Sequence, residues 1–233
     1  SVYARPTDMG DPSSGAGDNF TIDSYNNIQY HMPADLLPFG IVGKVAYAPD
    51  LDAYGSGNNA GTTHTMDKDT VGRNATEIQV KAAPLDGLTI GASYFEFGHS
   101  GSPSKRAQSA ESGAYYVTYA TGPFSFGYSQ AHKAMHLPDN ASTALTDTTI
   151  EHYDQTNMSV AYAASDDLSI SYEVEKDEIN YVTQATAEKE QKSKAIQVAY
   201  TMGGMTLAVS HGSYDNVGFT NDKTNDLTLF TVT

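Results

Sequence analysis

Seven histidines, 28 acidic residues and scattered serines carry what reactive chemistry this chain of 233 residues could offer. Cysteine is absent, which excludes disulfides and thiolate chemistry and leaves the redox compartment undetermined. The histidines, His31, His64, His99, His132, His136, His152 and His211, show no metal-ligand spacing. His132 and His136 stand one helical turn apart in number, but nothing around them predicts a helix, so both read as solvated loop residues. No serine sits in a G-x-S-x-G turn or beside a plausible base, so a hydrolase nucleophile is not predicted. The run 50-DLDAYGSGNN-59 has oxygen ligands at alternate positions, led by Asp50 and Asp52, and could hold Ca²⁺ at a loop. It lacks the distal Glu and the spacing of an EF-hand; no other cofactor is expected. The remaining charges that share a pattern are Lys44, Glu77, Lys81, Glu173 and Glu175, each on the polar side of an alternating run. Charges placed this way shape a field; they do not break bonds.

The runs that position them have the period of a strand. In 20-FTIDSYNNIQYHMP-33, Phe20, Ile22, Ile28, Tyr30 and Met32 fall on one side, and Thr21, Asp23, Asn27, Gln29 and His31 on the other. The pattern returns over 39–48, 75–83, 88–97, 111–120, 124–132, 153–163, 168–176, 193–201, 205–212 and 225–233. One all-β domain over 1–233 is therefore predicted, with strands of the length that crosses a bilayer when tilted. The best helical candidate, 184-QATAEKEQKSKA-195, is polar all round and reads as a loop or a strand extension. No run approaches the length of a membrane helix.

Alternation alone leaves open which face looks inward. The connections and the aromatics argue for apolar side outward. Short connections (33-PADLLP-38, 84-PLDG-87, 121-TGP-123, 164-ASDD-167, 202-MGG-204) alternate with long polar ones (49–74, 98–110, 133–150, 177–192, 213–224). Outer-membrane barrels have this arrangement, with tight turns at one end and long loops at the other. Tyr30, Tyr119, Tyr162 and Tyr200 sit on apolar faces near the ends of strands entering short turns, and Phe124 lies just past one. At one level these would form an aromatic girdle. The net charge of -15 argues against a nucleic-acid partner.

The stretches 26-NNIQYHMP-33 and 40-GIVGKVAYAP-49 resemble the N-S-I-x-Y-x-S-P…G…Y signature of general trimeric porins, particularly the alphaproteobacterial type. The closing 198-VAYTMGGMTLAVSHGSYDN-216 and 226-DLTLFTVT-233 look like the end of such a porin, without the family's terminal Phe. The resemblance implies a sixteen-stranded antiparallel barrel whose sixth strand carries the signature. This chain would then hold strands six to sixteen, eleven in all, with five expected before Ser1. Residues 1–19 would be the tail of the loop that narrows the pore, and 20–233 the barrel strands with short periplasmic turns and long extracellular loops.

On that resemblance Asp8, Asp11 and Asp18 would form an acidic wall, with Arg5 the one Arg near the constriction. Lys44, Lys81, Glu77, Glu173 and Glu175 would point into the lumen. The function implied is passive diffusion of ions and small hydrophilic solutes, not an enzymatic one. Net negative charge favours cations. The expected partners are outer-membrane lipid, lipopolysaccharide and two further copies of the chain. Two other readings fit the same alternation: a barrel whose loops act as an adhesin or phage receptor, and a soluble all-β carbohydrate-binding protein with its apolar faces inside.

Overall fold

The computed structural model describes residues 20–22, 27–49, 74–97, 106–134, 137–138, 149–183 and 187–232. Eleven strands form one sheet. They are Ile28–His31 (β1), Val42–Ala48 (β2), Ala75–Leu85 (β3), Leu88–Phe97 (β4), Glu111–Thr121 (β5) and Phe124–Ala134 (β6). Ile150–Ala163 (β7), Leu168–Tyr181 (β8), Lys189–Met202 (β9), Met205–Asp215 (β10) and Asn225–Val232 (β11) complete it. Each strand pairs antiparallel with its neighbour in sequence, and β1 and β11 are the two edges of the order. A separate short pairing joins Arg106–Gln108 to Leu137–Pro138 beyond β4 and β6.

The tight turns lie where Gly, Pro and Asp cluster, because those residues take the backbone angles a reversal needs. Leu85 pairs with Leu88 across Asp86-Gly87, with Gly87 at φ +76°, and the Gly87 carbonyl accepts the Ala120 amide at 2.9 Å. Met202 pairs with Met205 across two left-handed glycines, Gly203 and Gly204. Thr121 pairs with Phe124 around Gly122.

The sheet curls with its polar side inward. Glu175, Asp177, Gln191 and Ser193 are fully buried, whereas Ile78, Val80, Ile196, Val198, Phe126 and Met158 are exposed. A chain that folds in water does the reverse, because exposing apolar area costs about 25 cal/mol per Å². An apolar solvent around the outer face inverts the sign. The expectation of apolar faces inside, which the soluble carbohydrate-binding alternative requires, is not met.

Three expectations are corrected. Phe20 and Ile22 do not continue the outward apolar row of Ile28 and Tyr30. They are 5% and 4% exposed and lie on the inner side, while β1 begins only at Ile28. Phe20 packs on Phe95 and Phe97 at ring-centroid distances of 5.6 and 5.4 Å, and the cluster includes Ala46, Ala48, Ala75 and Ala110. So the boundary placed at residue 20 between constriction tail and barrel strands falls later. Second, β8 and β9 each run to 14 residues, taking in much of the segment expected as a loop over 177–192. Past Val174 the outward positions become Lys176 and Glu178, paired with Lys192 and Glu190, so the apolar period stops although the ladder continues. Third, the last connection, over 213–224, does not stay clear of the barrel. Val217–Phe219 forms a 3-10 turn with Val217 and Phe219 buried, and the Gly218 amide donates to Gln191 Oε1 at 2.8 Å.

Candidate functional site

The inner wall is built from the odd-numbered residues of β8 and their cross-strand partners. A strand sends alternate side chains to one face, so Glu173, Glu175 and Asp177 form a column of carboxylates. Ser159, Asn157 and Gln155 stand opposite them on β7. Gln155 Nε2 donates to Glu175 Oε1 at 3.2 Å and to Asp177 Oδ1 at 2.9 Å, and Asn157 Nδ2 donates to Glu175 Oε2 at 3.5 Å. Hydrogen bonds to a charged acceptor are worth about 1.5–3 kcal/mol, which helps offset the cost of taking carboxylates out of water. Gln191 and Ser193 of β9 flank the column on its other side, and both are fully buried. Lower on the wall, Gln197 Nε2 donates to Ser210 Oγ at 2.8 Å.

A second inner group surrounds the 20–22 segment. The Ile22 amide donates to Glu77 Oε2 at 2.8 Å and the Phe20 amide to Ser112 Oγ at 2.9 Å. Gln79 also donates to Glu77. Lys133 Nζ lies 4.9 Å from the centre of the Phe20 ring. The segment is therefore held against the inner wall by backbone donors on lumen-facing acceptors and by a cation over its aromatic ring.

The residues singled out from sequence fall into three groups. Glu77, Glu173 and Glu175 are inward and buried, at 3%, 3% and 0% exposure. Lys44 and Lys81 share the inward parity of β2 and β3 but lie towards the short-turn end, Lys44 half-buried and Lys81 exposed, opposite Gln79 and Val42 respectively. Arg5, Asp8, Asp11, Asp18, Asp50 and Asp52 lie outside the described residues. Asp177, Gln155, Asn157 and Lys133 were missed. Asp177 fell in a segment assigned to a loop, yet it continues the parity of Glu173 and Glu175, and that was the signal available.

The outer face carries the aromatics. Tyr30, Tyr119, Phe124, Tyr162 and Tyr200 point outward, all at least two-fifths exposed. Phe124 and Tyr162 are direct cross-strand partners with ring centroids 4.9 Å apart. Tyr119 pairs with Phe126, and Tyr200 with Leu168 and Leu207, so these rings stand within about one residue pair of each other at the short-turn end. Tyr47, Tyr94 and Tyr172 are outward as well, nearer the loop end.

Solved structures share this architecture. The outer membrane channel DcaP of Acinetobacter baumannii superposes with a TM-score of 0.60 at 10% identity, over 88% of this chain and 60% of that one. OmpT, an outer-membrane protein of Vibrio cholerae, superposes with a TM-score of 0.53 at 12% identity, over 87% of this chain and 61% of its own. The fold is that of an outer-membrane β-barrel. The chain spans about three fifths of the length of these structures. No protein-family model matches the sequence, and no curated protein matches it significantly. At such identities the likeness is one of fold, and roles for individual residues rest on the geometry above.

Proposed function

We propose that the chain forms the greater part of the wall of a general porin, an integral outer-membrane channel through which ions and small hydrophilic solutes diffuse. The observation that carries this reading is the inversion of the sheet: charged and amide side chains line the concave face while Ile, Val, Phe, Met and Tyr cover the outside. A polar interior inside an apolar band is what a transmembrane conduit requires. That one structural neighbour is an outer membrane channel supports the same reading. Transport here is passive, and the proposal calls for no catalytic group.

The finer parts of the proposal follow from the same surfaces. Glu77, Glu173, Glu175 and Asp177 form a predominantly acidic inner wall, supporting a preference for cations. Lys44 and Lys81 would supply part of the opposing basic side, with Arg5, Asp8, Asp11 and Asp18 in the constriction. Tyr30, Tyr119, Phe124, Tyr162 and Tyr200 would anchor the barrel at the periplasmic interface. The resemblance of 26-NNIQYHMP-33 supports a sixteen-stranded trimeric porin, with these eleven strands as its last. Membrane lipid and lipopolysaccharide would contact the outer face, and Asp50 and Asp52 could hold Ca²⁺ at their loop.

The test is electrical. The protein inserted in a planar bilayer should give stepwise, ohmic conductance, and a salt gradient across the bilayer should produce a reversal potential of cation-selective sign. A sheet that inserts but carries no current refutes the channel. An anion-selective reversal potential refutes the cation preference.

A further inference from the structure

We infer that the loop end of the outer face carries a binding site for a divalent transition-metal ion, made by His132, His152 and Asp154. His132 is on β6, and His152 and Asp154 are on β7, all on outward positions. Asp154 pairs directly with His132 across the ladder, and His152 pairs with Ala134 one step on. Asp154 Oδ1 lies 2.7 Å from His132 Nδ1, and Asp154 Oδ2 lies 3.4 Å from His152 Nε2. The two imidazole rings face each other with centroids 4.8 Å apart and an interplanar angle of 39°. One ligand atom from each of the three side chains can be chosen so that all lie within 4.8 Å of one another. A tetrahedral shell with metal–ligand bonds of about 2.0–2.1 Å puts its ligand atoms roughly 3.3 Å apart. Closing the site from these distances needs side-chain rotation and no movement of the sheet.

The donor set selects the metal. Two imidazole nitrogens and one carboxylate oxygen suit Zn²⁺ and its first-row neighbours, whereas Ca²⁺ and Mg²⁺ prefer all-oxygen shells. The surroundings supply outer-shell partners of the kind that orient metal ligands. The Glu151 carboxylate lies 3.9 Å from Nδ1 of His152, on the ring edge away from Asp154, leaving Nε2 for the metal. Asn180 Nδ2 donates to Asp154 Oδ2 at 3.4 Å, tying the carboxylate to β8. Three protein ligands leave a fourth position open. A groove of about 610 Å³ opens beside His132 and Asp154, with Glu111, Tyr115, Gln130 and Glu178 among its lining, and has room for water or another oxygen ligand there. Below the site the outward row of β6 is Phe124, Phe126 and Tyr128, so the ligands stand above the apolar band. An ion at that height would cross-link β6 and β7 at the outer rim.

The test is a titration of the detergent-solubilised full chain with ZnCl₂, followed by calorimetry. One equivalent should bind, and CaCl₂ at the same concentration should not compete. His132→Asn and His152→Asn should each weaken Zn²⁺ binding at least tenfold. The double variant should lose it, with the β-sheet circular dichroism of the parent kept. His211→Asn, on the same face at β10 and hydrogen-bonded to Thr228 at 2.9 Å, should bind as the parent does. Co²⁺ in place of Zn²⁺ should give the visible absorption of a tetrahedral nitrogen–oxygen site. Absence of stoichiometric binding overturns the inference, and so does binding that survives the double variant. Neither outcome bears on conductance, so the channel proposal stands or falls separately.

Discussion

Val198 sits at mid-height on the outer face of β9, 39% exposed, between Ile170 of β8 and Val209 of β10. The outward positions from the turn upward are Met202, Tyr200, Val198 and Ile196, after which Lys194 is the first charge. The rise from Met202 to Lys194 is roughly 26 Å along the strand, or about 20 Å along the membrane normal at a tilt near 40°. Val198 therefore stands about 10 Å above the turn, close to the middle of the apolar band. Lysine at mid-depth on a lipid-facing strand costs about 2–4 kcal/mol, whereas near the interface it costs about 0–1 kcal/mol. Val198→Lys should thus shift the folding equilibrium by roughly 30- to 900-fold. Ser213→Lys, on the same face at the loop end of β10 and opposite Lys194, is the matched control. Were the outer face in contact with water, an exposed valine could become lysine within about 0.5 kcal/mol. The assay is reversible urea unfolding of the protein folded into lipid vesicles, read by circular dichroism. A Val198→Lys cost no larger than that of Ser213→Lys would refute the orientation of the sheet, and the pore with it.

Other consequences are as direct. Gly87→Ala places a Cβ 2.1 Å from the Ala120 carbonyl oxygen at a residue with φ +76°, and should cost about 1–3 kcal/mol in the same unfolding assay. Glu173→Gln with Glu175→Gln should move the reversal potential away from the cation-selective side. A cation passing about 5 Å from one carboxylate in water gains roughly 0.8 kcal/mol, about fourfold in occupancy, so the change is measurable. Phe20→Ala removes the ring held between Phe95, Phe97 and Lys133, and should release the 20–22 segment from the wall. A buried Phe truncated to Ala costs about 3–5 kcal/mol, and single-channel conductance should rise as the segment loosens. Tyr162→Ala breaks the 4.9 Å contact with Phe124 and should destabilise the vesicle-folded protein by about 0.5–1.5 kcal/mol beyond the area lost.

The strand content, the tight turns and the outward rows through Ile78, Val198 and Met205 were legible from alternation and turn residues. The inward placing of Glu77, Glu173 and Glu175 followed from the same parity. What escaped lies where that period loses its meaning. At the loop end of β4, Phe95 and Phe97 point inward and Glu96 outward, because headgroups and water replace lipid there and the apolar side chains cover the 20–22 segment instead. Phe20 and Ile22 share the parity of Ile28 but are separated from it by residues outside the described strands, so counting by twos could not assign their face.

By itself, then, the sequence determined the period-two rows, the reversal points and the charge, since each depends on neighbours a few residues apart. Tertiary structure alone decided that Gln155 meets Glu175 and that His132 meets Asp154. Those pairs depend on register between strands whose partners lie 20 and 22 residues away in the chain, and register is set by the turn at one end and by the sum of the ladder. Hence His132, His152 and Asp154, which have no spacing that marks a metal site, come together only once β6 and β7 are aligned.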